Sequence, residues 1–577
     1  HINIKGALNA TNANIVLQGH PTTHATISDE KIREQIKKAE SGTSAAMPNY
    51  MDLSKPSTLN QPDWDSRNFT IGSGITLKNA TLTVGKAANL KADIKADNTS
   101  QIYFGGKHFI DSKDGKNVIG SGFSYQQVVE SSDLTNETYK DSSYSGKITA
   151  NGTKITSQFF NFTPNLELSN NANLNAKYLT LTQSSTMNLI NSTAEVENLI
   201  FQGFQNSDFS SKFKLESGST FSVTQALSFD NSNLNLDTLK TTNNITLPTE
   251  YNLYAFNGSK ITATNEFKNT KENAEFVLDG KSTTFTATSA VSFKSAELTL
   301  KNGAQFSANS LNFTENSIIS LTDSGKLTLT GDLQTQSLNL NLSNSSTLNS
   351  KTLTSKGAST INLNDKAVLT LTDTFTSENL TLTLKNESKF TANTLNASGV
   401  LNLNADEKSK ITLTTLDLQK GNLQNISQNV DISTLKLTDS TANLELLNGQ
   451  IPKTIDLKTQ SNLYLKELNL NEFNTKGLNL TSDGTSQAHI KNLIYDAKNT
   501  KTAPNSNLAV SEKFELKNVG QNLGTTQGAQ GTPNADDEKL QKDLFALEFS
   551  KNLELKDGTK LDISFADKVT KENLLFD

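Results

Sequence analysis

The chain has 577 residues, of which 34% are hydrophobic and 19% charged, with 9 prolines, no cysteine and a formal net charge of −6. That charge, with only two arginines (Arg33 and Arg67), excludes a phosphate or nucleic-acid surface. No apolar run reaches the roughly 18 residues of a membrane helix, and without cysteine there is no disulfide scaffold. The apolar content is too low for one compact core, yet sufficient where each short strand buries one face in a thin axial core.

In chain order, His1-Ile2-Asn3-Ile4-Lys5 opens in mid-strand, with neither Met nor signal peptide. Residues 1–27 therefore read as solenoid coil continuing from an upstream part, since a solenoid end needs a cap. Residues 28–62 read as an excursion. Ser28 is a helix N-cap and Ile32 and Ile36 stand four apart, which predicts a helix over 28–38. A loop containing Pro48, Pro56 and Pro62 follows.

Residues 63–519 predict the main stalk, because between Phe285 and Ile432 one frame repeats every 21 residues and the flanking segments keep the alternating texture without the exact spacing. Phe285, Phe306, Leu327, Leu348, Leu369, Phe390, Ile411 and Ile432 form one ladder. Leu298, Ile319, Leu340, Ile361, Leu382 and Leu403 form a second; Leu300, Leu321, Leu342, Leu363, Leu384 and Ala405 form a third, two residues on. An offset of two puts both side chains on one face of a strand. Two residues later stand Asn302, Asp323, Asn344, Asp365 and Asn386, types that accept left-handed backbone and mark a corner. The expected fold class is all-β: a right-handed parallel β-helix solenoid of 21-residue coils with small loop and helix insertions. About 24 coils at ordinary strand spacing would rise roughly 115 Å. Residues 520–540, with Gly524, Gly528, Gly531 and Pro533, read as a flexible Gly-rich loop, and residues 541–577 as the final coils.

Gly19-His20-Pro21-Thr22-Thr23-His24-Ala25 resembles the GHPxxHA segment of serine protease autotransporters of the immunoglobulin A protease type. Asp63-Trp64-Asp65-Ser66-Arg67-Asn68-Phe69 resembles their DWxxRxF segment. Ala96-Asp97-Asn98-Thr99-Ser100 and Phe109-Ile110-Asp111-Ser112-Lys113-Asp114-Gly115 are similar to further pieces, in the same order. The likeness is specific over residues 15–120 and textural beyond. It implies a passenger stalk with a chymotrypsin-like protease domain upstream and an outer-membrane β-barrel downstream, exported to the cell surface or secreted. Gly19, His20, Pro21, His24, Trp64, Arg67 and Phe69 are then structural motif residues. The family's GDSGS nucleophile motif is absent, and Asp323-Ser324-Gly325 sits on the 21-residue turn frame.

Competing readings of single residues are weaker. His20 and His24 stand four apart, but Pro21 opposes a helix there and no Glu lies between, which disfavours zinc. Trp64 and Arg67 are expected to pack where the excursion rejoins the coils. Calcium would need GGxGxD repeats, and none occurs. Asn-x-Ser/Thr sequons are expected by chance from so much Asn, Ser and Thr. Phe285, Phe306 and Phe390 occupy a Leu/Ile ladder, so stacked core is expected rather than a ligand platform. No catalytic, metal or cofactor residue is assigned. The expected function is a stalk displaying an upstream protease. Alternatives are an adhesin or self-associating rod, binding host extracellular proteins or its own kind, and more remotely a polysaccharide-active β-helix enzyme.

Overall fold

The computed structural model describes residues 1–17, 20–22, 63–65, 67–85, 87–105, 107–110, 112–113, 116–117, 127–130, 139–216, 218–241, 245–246, 249–447, 450–496, 504–519 and 549–565. The expected helix over 28–38, the loop after it, the Gly-rich loop over 520–540 and residues 544–548 of the expected last strands lie outside these residues, whereas Leu553–Leu555 is a strand. The chain divides into two units, His1–Thr264 and Asn265–Asp577. Each is a parallel β-solenoid in which a strand pairs with its counterpart one coil on.

In the first unit, Arg67–Lys78 carries Ile2–Ile4 and Leu8–Thr11 along one edge and Ala88–Ala96 along the other. Inward residues then stack coil by coil. Ile75 lies beside Ile94, Ile94 beside Ile148, Ile148 beside Leu166 and Leu166 beside Met187. A second column runs Leu82, Ile102, Ile155, Leu174, Ala194 and Phe221. All of these are buried, which is what strict alternation along a one-sided strand demands.

In the second unit the 21-residue ladders are physical columns. Phe285 pairs with Phe306, and Leu327, Leu348, Leu369, Phe390 and Ile411 follow in register. The other two ladders are likewise continuous from Leu298 to Leu403 and from Leu300 to Ala405. Phe285 and Phe306 stack with ring centroids 5.0 Å apart, and Phe293 and Phe313 at 5.5 Å, so these rings are core.

Three expectations need correction. Ile411 pairs with Val430, and Ile432 pairs with Leu413. That coil is shorter, as the 19-residue step from Gly421 to Ser440 shows, so the ladder moves by one inward position. The described residues form about 19 turns, fewer than the expected 24. Neighbouring-coil hydrogen bonds span 21 residues at Asn344–Asp323, but 67 at Asn79–Asn12, 54 at Lys147–Asp93 and 45 at Asn552–Asn507. Long excursions and coils of unequal length therefore consume chain without adding rungs. Finally, one excursion was not read from the sequence. Lys107–Ile110 pairs antiparallel with Gln127–Glu130, and Ser112–Lys113 with Lys116–Asn117, inside the 54-residue step.

Candidate functional site

The motif residues fall on two neighbouring features of the first unit. His20–Thr22 pairs antiparallel with Asp63–Asp65, with His20 opposite Asp65 and Pro21 opposite Trp64. This antiparallel pair, set beside parallel coils, brings together the chain that leaves at residue 22 and the chain that returns at 63. The two motif segments thus pair with each other across the intervening residues 23–62. Arg67 and Phe69 lie just beyond it, at the start of Arg67–Lys78. The Arg67 backbone N–H donates to the Ala87 carbonyl at 2.8 Å. Phe69 is buried between Ile2 and Leu90. Gly19 and His24 lie outside the described residues.

The solenoid corner is the second constellation. Asn302, Asp323, Asn344, Asp365 and Asn386 all have φ between 49° and 55°, the left-handed region. Asn344 Nδ2 donates to Asp323 Oδ1 at 2.8 Å, and Asn386 Nδ2 to Asp365 Oδ1 at 2.8 Å. The residue after each is often left-handed too: Ser324, Ser345, Lys366 and Glu387. Its N–H donates to the next coil, as from Ser345 to the Asp365 carbonyl at 2.8 Å.

A buried serine often completes the corner, a feature that sequence reasoning missed. Ser232 N–H donates to Ser259 Oγ at 3.0 Å, Ser388 N–H to Ser409 Oγ at 3.2 Å and Ser440 N–H to Ser461 Oγ at 3.1 Å. Each hydroxyl satisfies an amide that would otherwise be buried without a partner. The signal was present in the sequence. Asn257-Gly258-Ser259, Asn344-Ser345-Ser346 and Asn386-Glu387-Ser388 are two left-handed residues followed by a buried serine. These Asn-x-Ser triplets follow from corner geometry rather than from chance composition.

Asp323-Ser324-Gly325 belongs to this corner. Ser324 has φ 65°, its N–H donates to the Asn344 carbonyl at 2.9 Å, and Asp323 accepts from Asn344 rather than from a histidine. A Cβ on Gly325 would lie 2.6 Å from the Leu300 carbonyl oxygen, so close coil packing accounts for the glycine. His489 stacks on Tyr464 with ring centroids 4.6 Å apart, and its Nε2 lies 3.1 Å from Asn462 Oδ1. Burial and nearby Lys556 hold its imidazole below the ordinary value, against the opposing pull of Glu554. Among the described residues no three His, Cys, Asp or Glu side chains stand close enough to hold a metal ion. An open cleft of about 520 Å³ lies over residues 429–433, lined among others by Lys408, Lys410, Asp431 and Lys453. Lys410 and Asp431 pair there at 3.4 Å.

What these features define is a class: a parallel β-solenoid whose inward side chains build the core and whose corners knit coil to coil. Residues 1–200 match the family model described as the PIC/HAP1/IgA0 second beta-solenoid repeat region. The chain is 30% identical over 145 residues to the serine protease Pet autotransporter of Escherichia coli O44:H18, covering 23% of this chain and 11% of that protein. It is 27% identical over 183 residues to the serine protease EspC of Escherichia coli O127:H6, covering 29% and 14% respectively. With the serine protease Sat autotransporter of Escherichia coli O6:H1 it shares 27% over 168 residues, 27% of this chain and 12% of the relative. The match thus spans well under a fifth of each curated relative. No solved structure matches. Over residues 1–200 the chain is thus similar to the β-solenoid region of serine protease autotransporter passengers. Relatives of this kind accord with the expected localisation, secreted or at the cell surface after export through the outer membrane.

Proposed function

We propose that the chain is the extracellular stalk that carries and displays a chymotrypsin-like serine protease domain of the same precursor. A downstream outer-membrane β-barrel is then the exporter, and the antiparallel neck of His20–Thr22 and Asp63–Asp65 anchors the excursion. The observation that carries this reading is the match of residues 1–200 to a passenger solenoid model, joined to relatives that are serine proteases. The corner chemistry supports it, because the polar side chains there bond to neighbouring coils rather than converging on a substrate position. The motif residues His20, Pro21, Trp64, Arg67 and Phe69 act structurally in this reading, and the parent activity resides upstream.

The test is made on the full precursor produced in a Gram-negative host. Intact cells are treated with a fluorophosphonate probe, and the labelled serine is mapped by mass spectrometry. Label on a surface-exposed serine preceding His1 supports display. A precursor that reaches the surface without any specifically labelled serine overturns it and favours a rod that acts by adhesion or self-association.

A further inference from the structure

One corner column of the second unit carries an ordered alternation of charge. Asp279, Asn302, Asp323, Asn344, Asp365, Asn386 and Asp406 follow one another coil by coil, carboxylate and amide in turn. Asn302 Nδ2 donates to Asp279 Oδ1 at 2.7 Å, and Asn386 N–H donates to Asp406 Oδ2 at 2.7 Å. No two carboxylates of the column are therefore adjacent. Stacked coils lie about 4.8 Å apart, a distance at which neighbouring like charges repel.

Asn302 precedes Gly303, the pairing in which backbone attack on an asparagine amide meets least steric hindrance. We propose that Asn302–Gly303 is a self-modifying site held shut by coil stacking, and that its conversion to aspartate marks chain that has stayed unfolded. The Gly303 nitrogen attacks Asn302 Cγ and a C–N bond forms. The Cγ–Nδ2 bond breaks, and ammonia leaves with the former Gly303 amide proton. Water then opens the cyclic imide, leaving either an aspartate or an isoaspartyl linkage at position 302. One water is consumed and one ammonia released, with no catalyst.

The folded coil blocks both partners. The Gly303 N–H donates to the Asp323 carbonyl at 2.8 Å, which keeps the nucleophilic nitrogen protonated and oriented toward the next coil. The leaving amide is clamped on Asp279. The corner fixes Asn302 at φ 52° and Gly303 at φ 80°, so both partners sit in a backbone held by the neighbouring coils. Once Asn302 is converted, its new carboxylate would stand directly between Asp279 and Asp323, three carboxylates in succession. A chain damaged before stacking thereby acquires a column it stacks poorly.

The experiment incubates the native chain and the same chain in melting urea at mildly alkaline pH. The gain of mass and of isoaspartyl at the peptide containing Asn302 is followed in both. Protection by folding predicts conversion at least about tenfold slower in the native chain, because reaction requires local opening. Equal rates overturn the gate. In parallel, hydrogen exchange over residues 279–344 is compared in N302D and in N302D/D279N/D323N. Lost protection in the first, regained in the second, supports the charge column, while protection unchanged in N302D overturns that half of the proposal.

Discussion

Leu342 and Asn341 are neighbours in sequence with opposite surroundings. Leu342 is buried between Leu321 and Leu363, whereas Asn341 faces outward and accepts from Asn362 at 2.9 Å through its Oδ1. Burying a leucine stabilises by about 1.5–3 kcal/mol, and desolvating a carboxylate in its place costs several more. Leu342→Asp should therefore open the coils around residues 321–363, read as lost hydrogen-exchange protection there. Asn341→Asp keeps the oxygen that accepts from Asn362 and should change stability by no more than about 0.5 kcal/mol. The reverse ranking would place the inward frame wrongly. Acid sensitivity is also set residue by residue. The Asn386 N–H, joined by Ser409 and Lys408, holds Asp406 below the usual carboxylate range. The Ser100 hydroxyl, with Asn79 and Thr99, does the same for Asp97. At Asp483 burial pushes upward but is outweighed by donors from Thr459, Ser486 and Thr485, and the group ends well below its ordinary value. A folded-state pKa lower than the unfolded one adds stability that is complete above the unfolded value, about 4, and is lost as pH falls through the folded one. Thermal unfolding midpoints should hold from pH 7 to about 5 and decline below about 4. A flat profile down to about pH 2 would show that these corner carboxylates contribute nothing.

The element that matters is the coil, and its length is a structural variable. From Asn341 to Asn362 the step is 21 residues, with Leu340 beside Ile361 and Leu342 beside Leu363. Deleting residues 341–361 joins Leu340 to Asn362, which takes the outward place of Asn341. The shortened solenoid should fold with one rung fewer, because coils contact only their neighbours. Deleting 341–360 instead joins Leu340 to Ile361. That one-residue slip turns Ile361 and Leu363 outward and Asn362 inward. The first variant should keep a cooperative thermal transition and the second should lose protection through residues 321–384, both followed by circular dichroism and exchange. If both behave alike, stacking register is not what stabilises this region.

At the scale of the molecule, the chain spends its polar groups on itself. Corner amides, carboxylates and hydroxyls bond along the coil stack, and Asp323-Ser324-Gly325 is part of that stack. The purified chain should accordingly show no specific, competable fluorophosphonate label and no peptidase activity. Labelling of Ser324 would refute the assignment of that triplet to the corner. The charged pairs, such as Lys294 with Glu315 at 3.7 Å and Lys410 with Asp431 at 3.4 Å, are solvent-facing and contribute little. Cohesion comes from the inward columns and the corner hydrogen bonds.

The inward columns and the left-handed corners were legible in the sequence because both arise from local chemistry. Strand alternation has a period of two, and Asn and Asp accept positive φ without help from distant residues. Leu300, Leu321, Leu342, Leu363 and Leu384, with the corner residue two places after each, needed no tertiary information. The antiparallel hairpin at Lys107–Ile110 was equally within reach. The Asp114-Gly115 dipeptide between Ser112–Lys113 and Lys116–Asn117 is a hairpin signal, and that inner pair lies within the Lys107–Ile110/Gln127–Glu130 pairing. Other features depended on which coil lies next. Ile432 leaves the ladder because the coil from Ile411 to Val430 is short, and a shift of that kind is visible only once two strands lie side by side. The pairing of His20 with Asp65, across 28–62, and the bonds from Ser232 to Ser259 and from Ser440 to Ser461 join positions whose separation is not constant. The sequence by itself determined which face of each strand is apolar, since that is a property of neighbouring residues. Only the tertiary structure decided which coil each rung meets, since that depends on the length of every intervening corner and excursion.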